Sequence, residues 1–337
     1  MSLLVVTHER FVDHDTGDWH PERPARLRAV LDGIEQADLG EAIVRATPEP
    51  ADPELLARVH DPMLIRHLER LSDRGGGAVD PDTIVSAASY DAAVLAAGAG
   101  PTAVAALDAG EVDAAFCVVR PPGHHATGRT AMGFCLLNNV AVTARLLADR
   151  GERVVIVDFD AHHGNGTQDV FYDDPDVLFV SLHEHPLYPG TGRFDEVGDA
   201  GGTGTTINVP LPSGATGDVE LRAIDEIVTP AVERFGPTWL LISAGFDGHR
   251  ADPLTGLRLT SGDFADIVAR LLPYAPPGRR LLFLEGGYDL EALRDSTAAT
   301  LSTVLGEDHR PERSSSGGPG VDVVERTLRF RHEVGLS

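Results

Sequence analysis

The chain has 337 residues, 42% hydrophobic and 24% charged, and every one of its basic side chains other than histidine is arginine. A chain of this length can bury a substantial core, as one large α/β domain or two smaller ones. Its net charge of −24 disfavours nucleic-acid binding, because phosphate would be repelled, and would draw in a cationic substrate; it also serves solubility.

The N-terminal run Leu3-Leu4-Val5-Val6 follows neither a basic leader nor a cleavage site, so it reads as a first strand and not a signal peptide. A polar loop then leads to Trp19. His20-Pro21-Glu22-Arg23-Pro24-Ala25-Arg26 opens a helix, with Leu27, Val30, Leu31 and Ile34 at helical spacing. Glu41 to Thr47 predicts a strand, and Pro53 to Leu71 a helix restarted at Pro62. Gly75-Gly76-Gly77 reads as a hinge, and Ser89 to Ala109 as an Ala-rich helix bent near Gly98, Gly100 and Pro101. No apolar run approaches the roughly 20 residues of a membrane span.

Ala114 to Val119 predicts a core strand running into Arg120-Pro121-Pro122-Gly123-His124-His125. Gly133-Phe134-Cys135 leads into a helix ending about Asp149, and Arg153 to Val157 is a β-branched run expected as a buried parallel strand. Strands follow at Val177 to His183, Thr205 to Leu211, Trp239 to Ser243 and Arg280 to Leu284. Helices are expected at Asp218 to Phe235, Ser261 to Leu272 and 289 to about 305. This alternation predicts an α/β fold with a mainly parallel sheet. Cys117 and Cys135 are too few for a disulfide framework and fit a reducing, cytoplasmic setting. The composition shift at Arg313 to Gly320 predicts a catalytic domain over 1–312, a flexible linker over 313–320 and an appendage over 321–337.

The chemistry gathers at strand ends, where α/β sheets bind ligands. Asp158, Asp160 and His162 recur at every second position in Asp158-Phe159-Asp160-Ala161-His162-His163-Gly164-Asn165-Gly166, so an extended chain would point all three one way. Asp160, His162 and Asp247 offer the three ligands of a catalytic zinc with an open position for water. Taken singly, each would serve equally as a helix cap or turn residue. Such a metal still needs a base, for which His124-His125 is the candidate, with Asp158 and Asn165 as partners. A carboxylate favours the imidazolium, whereas neutral Asn orients a ring without that pull, so the histidine held by Asn165 is expected neutral. Tyr288, after Gly286-Gly287, can reach a ligand closely and donate to an oxyanion.

Together these stretches, with Ser181-Leu182-His183, Tyr188-Pro189-Gly190 and Ser243-Ala244-Gly245-Phe246-Asp247, closely resemble the histone deacetylase superfamily, including bacterial histone-deacetylase-like and acetylpolyamine amidohydrolases. The resemblance implies the arginase–deacetylase fold, with an eight-stranded parallel sheet and helices on both faces. It implies one Zn2+ on Asp160, His162 and Asp247, His125 as general base and acid, His124 as its electrostatic partner, and Tyr288 polarising the amide. It further implies a substrate tunnel lined by Gly133, Phe134, Tyr188 and Gly287, and a substrate-holding carboxylate at Asp80. Arg26 would sit by a product channel, and a potassium ion would be held by Asp158, Asp160, His162, Ser181 and Leu182. Asn165, where class I members carry Asp, fits class II-like members, and Tyr188 replaces the common tunnel Phe.

The implied activity is hydrolysis of an acylated lysine, in a peptide or protein, or of an acylated polyamine. Lacking lysine, the chain cannot be its own side-chain substrate. No membrane and no direct nucleic-acid contact is expected, and an oligomer is compatible with the sequence. Two other readings are open to the sequence. An arginase-like enzyme with two manganese ions would want a carboxylate where Gly164 stands; a silent acyl-ligand-binding regulator would be expected to lack Tyr288 or a metal ligand.

Overall fold

The structure, a computed structural model, describes residues 1–336. Its strands are β1 (Leu3–Val6), β2 (Ile43–Ala46), β3 (Gly76–Ala78), β4 (Ile84–Ser86), β5 (Ala114–Cys117), β6 (Val154–Asp158), β7 (Val177–Glu184), β8 (Thr206–Leu211), β9 (Trp239–Ala244) and β10 (Arg280–Leu284). Its helices are α1 (Ala25–Gln36), α2 (Pro53–Leu56), α3 (Pro62–Asp73), α4 (Ser89–Asp108), α5 (Asn139–Ala148), α6 (Asn165–Phe171), α7 (Gly217–Ala223), α8 (Thr229–Phe235), α9 (Ser261–Leu271), α10 (Leu290–Leu305) and α11 (Val321–Glu333).

Eight strands form one parallel sheet in the order β2-β1-β5-β10-β9-β6-β7-β8. The central strands are buried along their length because helices cover both faces, which is why they read as unbroken apolar runs without alternation. Helices α1 and α9 both pack against α10, and α4 packs against α5. The carboxyl ends of the neighbouring strands β5, β10, β9 and β6 thereby open side by side, and each delivers one of the chemically loaded stretches.

Several elements differ from expectation. The glycine hinge at 75–77 is one arm of an antiparallel hairpin, β3 with β4; Gly76 has φ +108° and lies so close to the Val85 carbonyl that no Cβ would fit. The single helix expected over 218–235 is interrupted by a π-helical turn, Ile224–Val228, in which the Thr229 N–H reaches Ile224 O. Pro230 follows, without an N–H to continue α-helical bonding. Helix α4 is long and apolar enough by length and composition to cross a membrane, contrary to the expectation of no such run; it lies packed against α5 and β5.

The stretch expected as a flexible linker is hydrogen-bonded to the domain. Ser315 donates its N–H to Asp263 Oδ1 (2.9 Å) and its hydroxyl to Oδ2 (2.6 Å), and the N–H groups of Gly317 and Gly318 donate to Asp218 and Thr216. Beyond it, α11 buries Val323, Val324 and Thr327 against α7 and edge strand β8. Arg331 donates to the Thr206 carbonyl (3.2 Å). Covering a sheet edge in this way shields its unpaired backbone groups.

Candidate active site

Beyond β6, which ends at Asp158, the chain does not stay extended as expected but bends through Asp160 to His162, each Asp side chain holding the N–H two residues on. Asp160 Oδ1 accepts the His162 N–H (2.9 Å), and Asp158 Oδ1 accepts the Asp160 N–H (3.1 Å). The end of β9 brings Asp247, 85 residues on, to within 2.8 Å of His162 Nδ1, with Asp160 Oδ1 3.2 Å from the same nitrogen. The cluster is built around missing side chains: a Cβ on Gly245 or Gly286 would collide with the Asp160 carboxylate, and one on Gly286 also with that of Asp247. Asp160 Oδ2 is fixed by the Gly286 N–H (2.7 Å) and Asp247 Oδ1 by the Ala161 N–H (2.9 Å), leaving one oxygen of each aimed at the imidazole. Two carboxylates thus converge on a nitrogen that can offer a single proton. A divalent cation would satisfy all three groups, and the oxygen–nitrogen–oxygen donor set suits zinc. Among the described residues a second grouping of metal-capable side chains is His124, Cys135 and Glu285.

The loop after β5 lays two histidines against this cluster, and each has a different partner. His124 Nδ1 meets Asp158 Oδ2 at 2.9 Å, while His125 Nδ1 meets Asn165 Oδ1 at 2.7 Å. Burial disfavours charge on both rings, but for His124 the Asp158 and Asp160 carboxylates prevail and raise its pKa to about 10. His125 has no carboxylate partner, and burial, then the charges of His124 and His162, hold it well below the ordinary value of 6.5. One imidazolium and one neutral imidazole therefore stand with ring centroids 4.1 Å apart. Asn139 pins the loop by donating to the Pro121 carbonyl (3.1 Å).

Above the cluster is a cavity of about 220 Å³ lined by Asp82, His125, Gly133, Phe134, His162, Leu187, Tyr188, Leu254 and Tyr288. A larger, shallower hollow lined by His8, Arg10 and Tyr90 shares none of these residues. Gly133 faces the His125 ring with no room for a Cβ, and Phe134 takes φ +69°, its N–H held by Thr83 Oγ1 at 3.1 Å. Such a conformation is costly for a bulky residue and is retained where the surroundings over-determine it. The Tyr188 ring stands edge-on to His125 at 5.2 Å and is 38% exposed, so it forms the outer wall. Tyr288 is held by its N–H to Asp252 Oδ2 (2.7 Å). Burial pushes its hydroxyl well above the usual pKa of 10, leaving a proton donor.

Other expected positions fall as follows. Arg26 is fully buried behind Tyr288, its guanidinium 5.0 Å from the ring, donating to the carbonyls of Gly287 (2.6 Å) and Glu285. Asp158 pairs with Ser181 across β6 and β7, but the Ser181 hydroxyl is 2.9 Å from His183 Nδ1. Asp80 does not line the cavity. Its carboxylate accepts the N–H groups of Asp82 (3.1 Å) and Thr83 (2.6 Å), closing a turn, and Asp82 takes the lining position. The sequence holds both residues at turn spacing, and only the folded turn decides between them. Glu22 was also missed as a structural centre: wholly buried, it pairs with Arg120 and Arg26. Burial works against its charge, but Arg120 lowers its pKa to about 2.

The chain is similar to known deacetylases over most of its length. The family described as "Histone deacetylase domain" matches residues 20–304. A "Probable deacetylase" of Archaeoglobus fulgidus is 40% identical, over 90% of this chain and 86% of that protein. A "Histone deacetylase-like amidohydrolase" of Pseudomonas aeruginosa is 38% identical, over 80% of this chain and 71% of its own. The crystal structure of the HD domain of HDA15 superposes with a TM-score of 0.91 at 36% identity, covering 98% of this chain and 94% of that one.

Proposed function

Since the chain belongs to the histone deacetylase family and its fold is that family's arginase-like one, its chemistry is deacetylase-type amide hydrolysis, and we propose that it is a zinc-dependent enzyme releasing acetate from N-acetyl-lysine or an acetylated polyamine. The observation that carries the zinc is the convergence of Asp160 and Asp247 on one His162 nitrogen at the floor of a narrow, partly aromatic cavity. When bound there, the cation would supply Lewis acidity, lowering the pKa of a water and polarising the acyl carbonyl.

The protein's own groups supply the rest. Phe134 and Tyr188 confine an alkyl chain between aromatic walls and exclude water from the reacting amide. His125, neutral and held by Asn165, takes the proton from the attacking water and returns it to the leaving amine. Tyr288, protonated, donates to the oxygen that gains charge as the carbonyl becomes tetrahedral. His124, charged and locked to Asp158, favours the anionic transition state. Asp82 at the wall gives a cationic or amide-bearing substrate a partner. A potassium ion beside Asp158, Asp160, His162, Ser181 and Leu182 belongs to the same reading, as does a cytoplasmic location. The acidic surface argues against nucleic acid as a direct partner.

The test is a panel of fluorogenic acetyl-lysine peptides, acetylated polyamines and longer acyl-lysines, assayed on zinc-loaded protein beside Tyr288→Phe. The wild type should turn over at least one class, and the variant should lose roughly 10²- to 10³-fold in kcat while keeping its zinc. Inactivity of wild type on every acyl amide, with zinc bound, would sink the reading.

A further inference from the structure

Glu285 directly follows β10 and meets the backbone that carries the two catalytic histidines, and nothing in the reaction sequence above uses its side chain. It is fully buried. Oε2 accepts two successive backbone N–H groups, those of Gly123 (2.7 Å) and His124 (3.1 Å). Oε1 has no hydrogen-bond partner. The residue itself is anchored on both sides, its N–H to Ala244 O (3.1 Å) and its carbonyl to the Arg26 guanidinium. The loop it grips is equally confined from the far side, where a Cβ on Gly123 would collide with the backbone of Asn139 and Leu137.

This arrangement is poor for stability alone. Burying a carboxylate is expensive, and leaving one of its oxygens unpaired adds the desolvation cost of that atom. A neutral acceptor would have met the two N–H groups more cheaply. What a carboxyl adds, once ionised, is a shorter, stronger pair of charge-assisted bonds, and those fix the backbone that carries His124. The ring then reaches Asp158, and the adjoining residue places His125 against Asn165. Functional geometry must be held to a fraction of an ångström, so a costly clamp is tolerated where it supports reacting groups.

We infer that Glu285 is a positioning residue, whose buried carboxylate clamps the Gly123–His124 backbone and so sets the two histidines at the reacting centre. The inference rests on the proposed hydrolase reading for its kinetic arm only. Burial raises the Glu285 carboxyl to about 7, so the comparison is made at pH 8, where it is ionised. Glu285→Gln keeps the size of the side chain and removes that charge, so it should fold and bind zinc; Glu285→Asp is a methylene too short to keep both bonds. With the best substrate of the wild type, kcat should fall about tenfold in the Gln variant, the difference between charged and neutral acceptors. It should fall further in Glu285→Asp. KM and the zinc content of one ion per chain should stay unchanged. Independently of turnover, hydrogen exchange of the Gly123 and His124 amides should quicken at least tenfold in both variants. Unchanged exchange, or wild-type kcat in either variant, overturns the clamp. An inactive wild type with accelerated exchange in the variants would instead indict the hydrolase reading and leave the clamp standing.

Discussion

Two adjacent histidines, chemically identical in the chain, end up on opposite sides of neutrality because one meets Asp158 and its neighbour meets Asn165. Exchanging the partner should move the second ring toward the first. In Asn165→Asp a carboxylate would face His125 Nδ1 and favour its imidazolium, raising its pKa. The base must be neutral, so activity falls as pH drops through that pKa, and the acidic limb of kcat/KM should shift to higher pH in the variant. A limb at the wild-type position, with zinc still bound, would show that His125 is not the group reporting there. This contrast is legible in the sequence, because the Asp and Asn positions relative to a strand end and a glycine turn are sequence facts. Glu285 and Glu22 were not legible in the same way. A single carboxylate carries no periodicity, and its worth lies in backbone groups and guanidinium ions distant in the chain.

Helices and strands were readable wherever one periodicity ran uninterrupted, as in Val154–Asp158 or Trp239–Ala244. They were misread where a local signal competes with a tertiary one. Ser314-Ser315-Ser316-Gly317-Gly318 has the composition of a linker, yet its hydroxyl and amide groups are what bond it to Asp263 and Asp218, which no local rule reveals. The crossing of α1 on α10 shows the same competition in energetic form. Gly33 sits inside α1, where Ala would favour the helix by about 1 kcal/mol. A Cβ there, however, would strike the Arg294 carbonyl and lie 3.0 Å from Thr297 Cβ. Forcing a methyl into a packed contact costs about 1–3 kcal/mol, and backbone is the least yielding neighbour, so the clash should win. Gly33→Ala is therefore expected to lower the denaturation midpoint in urea. A raised midpoint would mean that the helices separate at little cost and that their contact yields readily to a methyl group.

Across the whole molecule, buried titratable groups oppose one another over the same pH range. His14, His60 and His163 are held to about 4, in each case mainly by burial, so they stay neutral when folded. Unfolding lets each take up a proton below 6.5, and stability falls as pH drops from 6.5 toward 4. Asp252 and Glu285 are raised to about 7 by burial, and Asp158 to about 6. These keep their protons when folded and lose them on unfolding above about 4, so stability falls as pH rises toward 7. Over pH 5 to 7 the two sets therefore tilt stability in opposite directions. Single substitutions should expose each slope. His60 donates from Nδ1 to Thr127 O and accepts the Asn138 N–H at Nε2, a pairing open only to the neutral ring. Measured by urea unfolding, His60→Gln should gain about 2 kcal/mol at pH 5 relative to pH 7 against wild type, and Asp252→Asn should lose about as much. The opposite signs matter more than the sizes: if both variants tilt the same way, general charge repulsion among the acidic surface groups sets the pH dependence, and the buried set contributes little.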